Sequence, residues 1–168
     1  MTKPINDDET RIKVRDLLEK TRFVMLVTTD ASGSMQSRPM TILAIEDQTV
    51  WFFTDVNSPK TLEIGRDHEV LLASADPSGQ SFVSATGTAR VTQDVEKQKA
   101  LWSEANRLWF PKGPESENLA LIAVTLQGAE YWDSPASTAL FAYGYVKAVV
   151  AGKPPTTGEN ETVTFART

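Results

Sequence analysis

Apolar positions along this chain alternate between two spacings. From Asp7 to Lys20 a charged stretch carries Val14, Leu17 and Leu18 at helical spacing, with Asn6 or Asp7 as N-cap, so an amphipathic helix is predicted. The period then changes. Phe23 to Thr29 is a short apolar run rich in strand formers, followed by the turn Asp30-Ala31-Ser32-Gly33. A return strand is predicted from Met35 to Ile45, a turn at Glu46-Asp47-Gln48, and a further strand from Thr49 to Thr54. Ser58-Pro59 opens a short helix, with a hydroxyl at the N-cap and proline at the first helical position; Leu62 and Ile64 bury and Gly65 ends it. Val70 to Ala75 and Ser81 to Val91 form the next strand pair around the turn Asp76-Pro77-Ser78-Gly79, and Gly87 inside the second marks a bulge or close backbone approach.

The longest helix is predicted from Asp94 to Trp109, where Val95, Leu101, Trp102, Ala105, Leu108 and Trp109 make one apolar stripe, and Phe110-Pro111-Lys112-Gly113-Pro114 stops it. Leu119 to Leu126 and Ala129 to Trp132 are the last clear strands. Leu140 to Val150 forms a terminal helix interrupted by Gly144. From Gly152 the chain is polar and turn-rich, a loosely held tail in which Val163 to Phe165 dock. Some six successive strands with short turns, one intervening helix and flanking helices predict a mainly β fold, a small antiparallel barrel with appended helices.

Composition narrows the function. The 168 residues suit one domain, taken as residues 1–151 with a tail at 152–168. With 22 acidic against 17 basic residues the net charge is −5, which disfavours a nucleic-acid partner. No cysteine is present, so thiol chemistry, disulfides and thiolate metal sites are excluded, and redox chemistry requires a cofactor. The polar start lacks the apolar centre of a secretion signal, and no run approaches the roughly 20 apolar residues of a membrane helix; a cytoplasmic protein without membrane attachment is expected. The lone His68 lies in a charged turn and is assigned to the surface, with no metal site. Trp102 and Trp109 are assigned to core or dimer packing.

The candidate chemistry lies around Ser58. The unpaired N–H groups of a helix's first turn favour an anion. Lys60 lies in that turn, where a cation is unfavourable to the helix dipole unless an anion is close, and Arg38 adds a planar fork of donors from a neighbouring strand. The segments Ser37-Arg38-Pro39-Met40, Trp51-Phe52-Phe53-Thr54-Asp55 and Ser58-Pro59-Lys60 together suggest a site for a phosphorylated aromatic cofactor.

With Met25 to Thr29, Ser84 to Ala89 and Ala129-Glu130-Tyr131-Trp132-Asp133, these segments resemble the bacterial general stress proteins of the pyridoxamine 5′-phosphate oxidase-like split barrels that bind FMN. The resemblance covers roughly residues 10 to 151. It implies a homodimer with FMN in a groove between subunits, FAD or a deazaflavin being the alternatives. By the same resemblance Arg38 and Lys60 meet the phosphate, Phe53 and Thr54 line the ring and ribityl chain, and Pro39, Met40 and Thr41 lie along the site. Ser58 completes the anion site, and Trp132 approaches the flavin across the dimer.

The departures from the oxidase bear on activity. Pro59 stands where the oxidase has an arginine, Leu43 where it has a lysine, and Ser137 to Phe141 where it has an arginine-x-histidine pair. The vitamin B6 substrate site is therefore not recognisable, and no catalytic residue is assigned. The leading expectation is flavin-dependent redox chemistry on an unidentified small molecule. A non-enzymatic flavin binder or redox sensor, and a cofactor-free interaction module, are the alternatives.

Overall fold

In the computed structural model, which describes residues 7–134, 147–152 and 159–165, the first strand shows why the chain forms a barrel. In β1 (Phe23–Thr29), Val24, Leu26 and Thr28 are buried while Phe23 and Met25 are exposed, the period-two pattern of a sheet with one face on a core. β1 pairs antiparallel with β2 (Met35–Thr41) on one side and β5 (Glu69–Asp76) on the other. Neighbours continue through β6 (Ser81–Thr92), β7 (Leu119–Asp133), β4 (Thr49–Asp55) and β3 (Ala44–Glu46), giving the order β2-β1-β5-β6-β7-β4-β3. The two ends of that order, β2 and β3, are joined only by Ile42 and Leu43. Ile42 N–H donates to the carbonyl of Arg22 beside β1, and Leu43 N–H to the carbonyl of Trp51 on β4, so the chain changes partners there and draws the sheet edges together. The strand predicted from Met35 to Ile45 is thus two strands, divided where the barrel turns its corner.

Helix α1 (Asp7–Thr21) lays Val14, Leu17 and Leu18 on this barrel core as predicted; its Asn6 cap candidate lies outside the described residues. Leu119 to Leu126 and Ala129 to Trp132 form one strand, not two. β7 runs unbroken, and the register to β6 shifts between Thr86 and Gly87, leaving Gln127 as the extra residue. Gly87 is needed there because a Cβ would stand 2.6 Å from the Thr125 carbonyl oxygen and 2.8 Å from Val124 Cγ1.

The helix predicted from Asp94 to Trp109 is the main error. α3 spans only Val95–Leu101, Trp102 is extended, and a 3-10 turn follows at Glu104–Leu108. Among the described residues α1 is the longest helix. Trp102 leaves the helical path to pack on Phe53 at 5.7 Å, a tertiary contact that overrides the helical period, and Leu108 and Trp109 are left exposed. The tail is also more ordered in its pairing than its composition suggests. β8 (Glu159–Thr164) pairs with the second half of β7, and Val163 and Phe165 are buried as expected. Of the terminal helix predicted from Leu140 to Val150, residues 140–146 lie outside the described residues and 147–151 are helical.

β4 is buried on both faces and separates two cores. Val50 and Phe52 point into the barrel. Trp51 and Phe53 point outward into a second cluster with Leu119, Leu121 and Ala123, covered by Leu101, Trp102 and Phe110. The segment from α3 to Phe110 therefore covers the β4–β7 half of the outer sheet face. The other half, over β1, β5 and β6, has no such cover among the described residues. There Phe23, Met25, Phe82 and Trp132 are 62, 39, 41 and 39% exposed on one face, as the registers Met25↔Ala73, Ala73↔Ser84 and Phe82↔Trp132 require.

Candidate functional site

Helix α2 (Pro59–Arg66) begins where β4 ends. Ser58 takes the N-cap position with extended backbone, and Pro59 opens the helix as predicted, but the Ser58 hydroxyl caps no first-turn N–H. It hydrogen-bonds instead with Thr54 Oγ1 at 3.1 Å and Thr61 Oγ1 at 2.9 Å. Thr61 Oγ1 in turn donates to the Asp55 carbonyl at 3.0 Å, and Thr61 N–H to the Ser58 carbonyl at 3.0 Å. These bonds tie the end of β4 to the start of α2. Among the described residues the Lys60 N–H finds no acceptor, so the helix keeps an open donor at its entrance.

The Lys60 side chain is half-buried and makes no ion pair or hydrogen bond among the described residues. Burial first, and the positive charge of Arg38 second, pull its pKa below the ordinary lysine value, against the opposite pull of Asp55 and Glu63. A half-buried cation beside a second cation, without an acceptor of its own, is the arrangement that an anion relieves.

Arg38 lies on β2 opposite Leu26 and faces inward with Met40, which is in the barrel core. Its guanidinium makes a 2.7 Å ion pair from Nη2 to Glu63 Oε2, and Nη1 donates to Thr28 Oγ1. Thr28 Oγ1 donates to the same carboxylate oxygen at 2.5 Å. Glu63 is the residue that sequence reasoning missed. It is 7% exposed, whereas Leu62, expected to bury, is 65% exposed; Gly65, expected to end the helix, lies within it, and Asp67 is the C-cap.

The candidate residues therefore divide. Arg38, Lys60, Ser58 and Thr54 gather around α2 and the end of β4 that leads into it. Pro39, Thr41 and Trp132 lie on the outer sheet face, which alternation separates from Arg38 and Met40. Phe53 is brought to neither place: it is 7% exposed beneath Trp102 and Phe110. His68 is exposed, and Leu43 packs at the edge of the outer core. Among the described residues no cluster of three or more His, Cys, Asp or Glu side chains has metal-binding geometry, and no helix is long and apolar enough to cross a membrane.

Comparison with known proteins places this architecture. Residues 9–156 match the family model described as pyridoxamine 5′-phosphate oxidase like. General stress protein 26 of Bacillus subtilis (strain 168) is 25% identical over 123 residues, covering 71% of this chain and 86% of that protein. Among solved structures, one described as a general stress protein 26 from Jannaschia sp. CCS1 superposes with a TM-score of 0.76 at 23% identity, covering 95% of this chain and all of the other. The general stress FMN/FAD binding protein of Xanthomonas citri gives 0.66 at 28% identity, covering 75% of this chain and 89% of its own. The fold is the split barrel of these neighbours. On the match across 9–156, the chain belongs to the pyridoxamine 5′-phosphate oxidase-like family.

Proposed function

We propose that this protein binds FMN, with the phosphate at the entrance of α2 between Lys60 and Arg38, and supports flavin-dependent redox chemistry. The observation that carries this reading is Lys60: a half-buried ammonium with no acceptor of its own, beside a second cation and an open helix-entrance N–H. The chemistry a bound flavin supplies is hydride or electron transfer, and the protein contributes binding and orientation. A relative named as an FMN/FAD binding protein supports the cofactor class. Leu43, packed against the outer core, supplies no charge to a second phosphate, so pyridoxamine 5′-phosphate is not the expected substrate. Flavin titration of the purified protein tests the assignment. Lys60→Ala weakens FMN binding by about 1–3 kcal/mol, the value of a charge-assisted hydrogen bond in a partly desolvated site. Equal affinity in wild type and Lys60→Ala would falsify the phosphate position.

The half-bare outer face supports a homodimer as the form that binds flavin. Phe23, Met25, Phe82 and Trp132 form an apolar surface that the chain's own α3 segment does not reach, and Pro39 and Thr41 border it. A flavin lying across that face meets Trp132 from the second subunit. Sedimentation shows a dimer whose dissociation FMN suppresses, because a ligand bridging two subunits favours the assembled form by mass action. Trp132→Ala reduces that gain while the barrel stays folded. A monomer that binds FMN stoichiometrically overturns the shared-site arrangement.

A further inference from the structure

A buried Glu63 beside an exposed Leu62 breaks the hydrophobic patterning of α2, and a buried carboxylate in a helix of eight residues requires partners that justify it. Its partners are Arg38 and Thr28, whose Oγ1 lies 2.5 Å from Glu63 Oε2. These two oxygens each take a different terminal nitrogen of the guanidinium, Thr28 Oγ1 taking Nη1 and Glu63 Oε2 taking Nη2 at 2.7 Å. Two acceptors so close together, one on each terminal nitrogen, fit the end of the guanidinium fork. The Leu26 and Gln36 carbonyls, each 3.4 Å from Nη1, hold the same nitrogen from behind. The side edge of the fork, Nε with the second Nη2 proton, has no protein acceptor among the described residues. Nor is Nε sealed from solvent: it is absent from the buried unpaired atoms, and the Arg38 side chain is 22% exposed.

We propose that Glu63, acting with Thr28, is a positioning residue that grips the end of the Arg38 guanidinium and so presents its side edge to the anion site shared with Lys60, making the site select phosphorylated over unphosphorylated flavin. The inference rests on the phosphate position assigned under Proposed function. Lys60 sits one turn before Glu63 on α2, at i and i+3, so the cation and the carboxylate that orients the second cation come from one face of one helix. Glu63 touches no ligand in this arrangement. Its effect on binding passes through Arg38.

The test titrates FMN and riboflavin, which differ by the phosphate, against the full chain as wild type, Lys60→Ala, Arg38→Ala, Glu63→Gln and the double variant Arg38→Ala/Glu63→Gln. Circular dichroism confirms folding at the titration temperature, and Thr28→Val, which removes the other member of the grip with little change of shape, replaces Glu63→Gln if that variant does not fold. Glu63→Gln loses roughly tenfold in FMN affinity, the order expected when a charge-assisted bond is misdirected, with riboflavin unchanged. It has no further effect once Arg38 is alanine, since the coupling runs through that side chain. Unchanged or tighter FMN binding in Glu63→Gln overturns the proposal, the tighter result identifying Glu63 as a competitor of the phosphate. A parallel loss of FMN and riboflavin also overturns it, as a general structural effect. If Lys60→Ala removes the preference for FMN while Glu63→Gln does not, only the positioning role fails. If neither does, the phosphate position fails with it.

Discussion

Glu63→Ala lowers folding stability by about 3 kcal/mol, at the lower end of the 3–5 kcal/mol expected when one partner of a buried ion pair is removed. The large effect follows from what is left behind. Glu63 Oε2 receives both the Arg38 guanidinium at 2.7 Å and the Thr28 hydroxyl at 2.5 Å, and Thr28 is 1% exposed, so truncation strands a cation and a hydroxyl at once. Arg38 keeps 22% of its side-chain surface, which admits water and holds the cost toward the lower value. Urea unfolding measures it. Arg38→Met/Glu63→Leu recovers most of the loss, because replacing a whole buried pair with apolar side chains removes the desolvation demand together with the attraction. A loss under about 1 kcal/mol in Glu63→Ala, the value of a screened surface pair, contradicts the burial argument.

How far this network was legible in the sequence depends on which residue is asked. Arg38 was legible as a strand residue offering donors to an anion, but its inward direction was not, since its place opposite Leu26 and on the face of core Met40 follows from the pairing of β1 with β2. An inward arginine demands a carboxylate. Which carboxylate was not legible, because Glu63 is 25 positions away and nothing in the local pattern of α2 marks it for burial. Leu62 and Ile64 flank it, and with eight residues the helix is too short for a periodic stripe to show that Glu63 joins Ile64 against the barrel while Leu62 does not.

The strands were legible for the opposite reason. Most are local runs of strand-forming residues bounded by Gly, Asp, Ser and Pro turns, and even the Gly87 irregularity announced itself as a glycine inside a strand pattern. Where the reading failed, the deciding contact was distant in sequence. Ile42 and Leu43 look like strand residues, and only the closure of the barrel makes them the hinge between β2 and β3. The stripe from Val95 to Trp109 has helical spacing, yet Trp102 is worth more packed on Phe53 than continuing the helix. At the Ser58-Pro59 helix opening, position was legible from local chemistry, while the direction of the Ser58 hydroxyl, toward Thr54 and Thr61, depended on the neighbouring strand end.

Phe53→Ala lowers folding stability by about 3–5 kcal/mol, the cost of a phenylalanine-sized cavity in a packed core, and this is the point at which the resemblance and the geometry make different demands on one side chain. By resemblance Phe53 and Thr54 both line a flavin. As neighbours on one strand they point to opposite faces: Thr54 Oγ1 meets Ser58 Oγ at 3.1 Å by the α2 entrance, while the Phe53 ring lies 5.7 Å from Trp102 and 5.9 Å from Phe110. The ring is 7% exposed, and the two aromatic contacts are tilted and edge-on, geometries that add to area burial. Phe53 is therefore the clasp that holds the α3 to Phe110 segment over the outer face of β4. Thermal or urea unfolding of Phe53→Ala measures the cost, and near-ultraviolet circular dichroism shows the Trp102 environment loosening with it. Phe53→Leu, which keeps an apolar side chain in the cluster, retains wild-type FMN affinity if the ring serves packing alone. A loss of FMN affinity in Phe53→Leu without loss of stability shows instead that the covering segment opens to admit the flavin, and returns Phe53 to the cofactor.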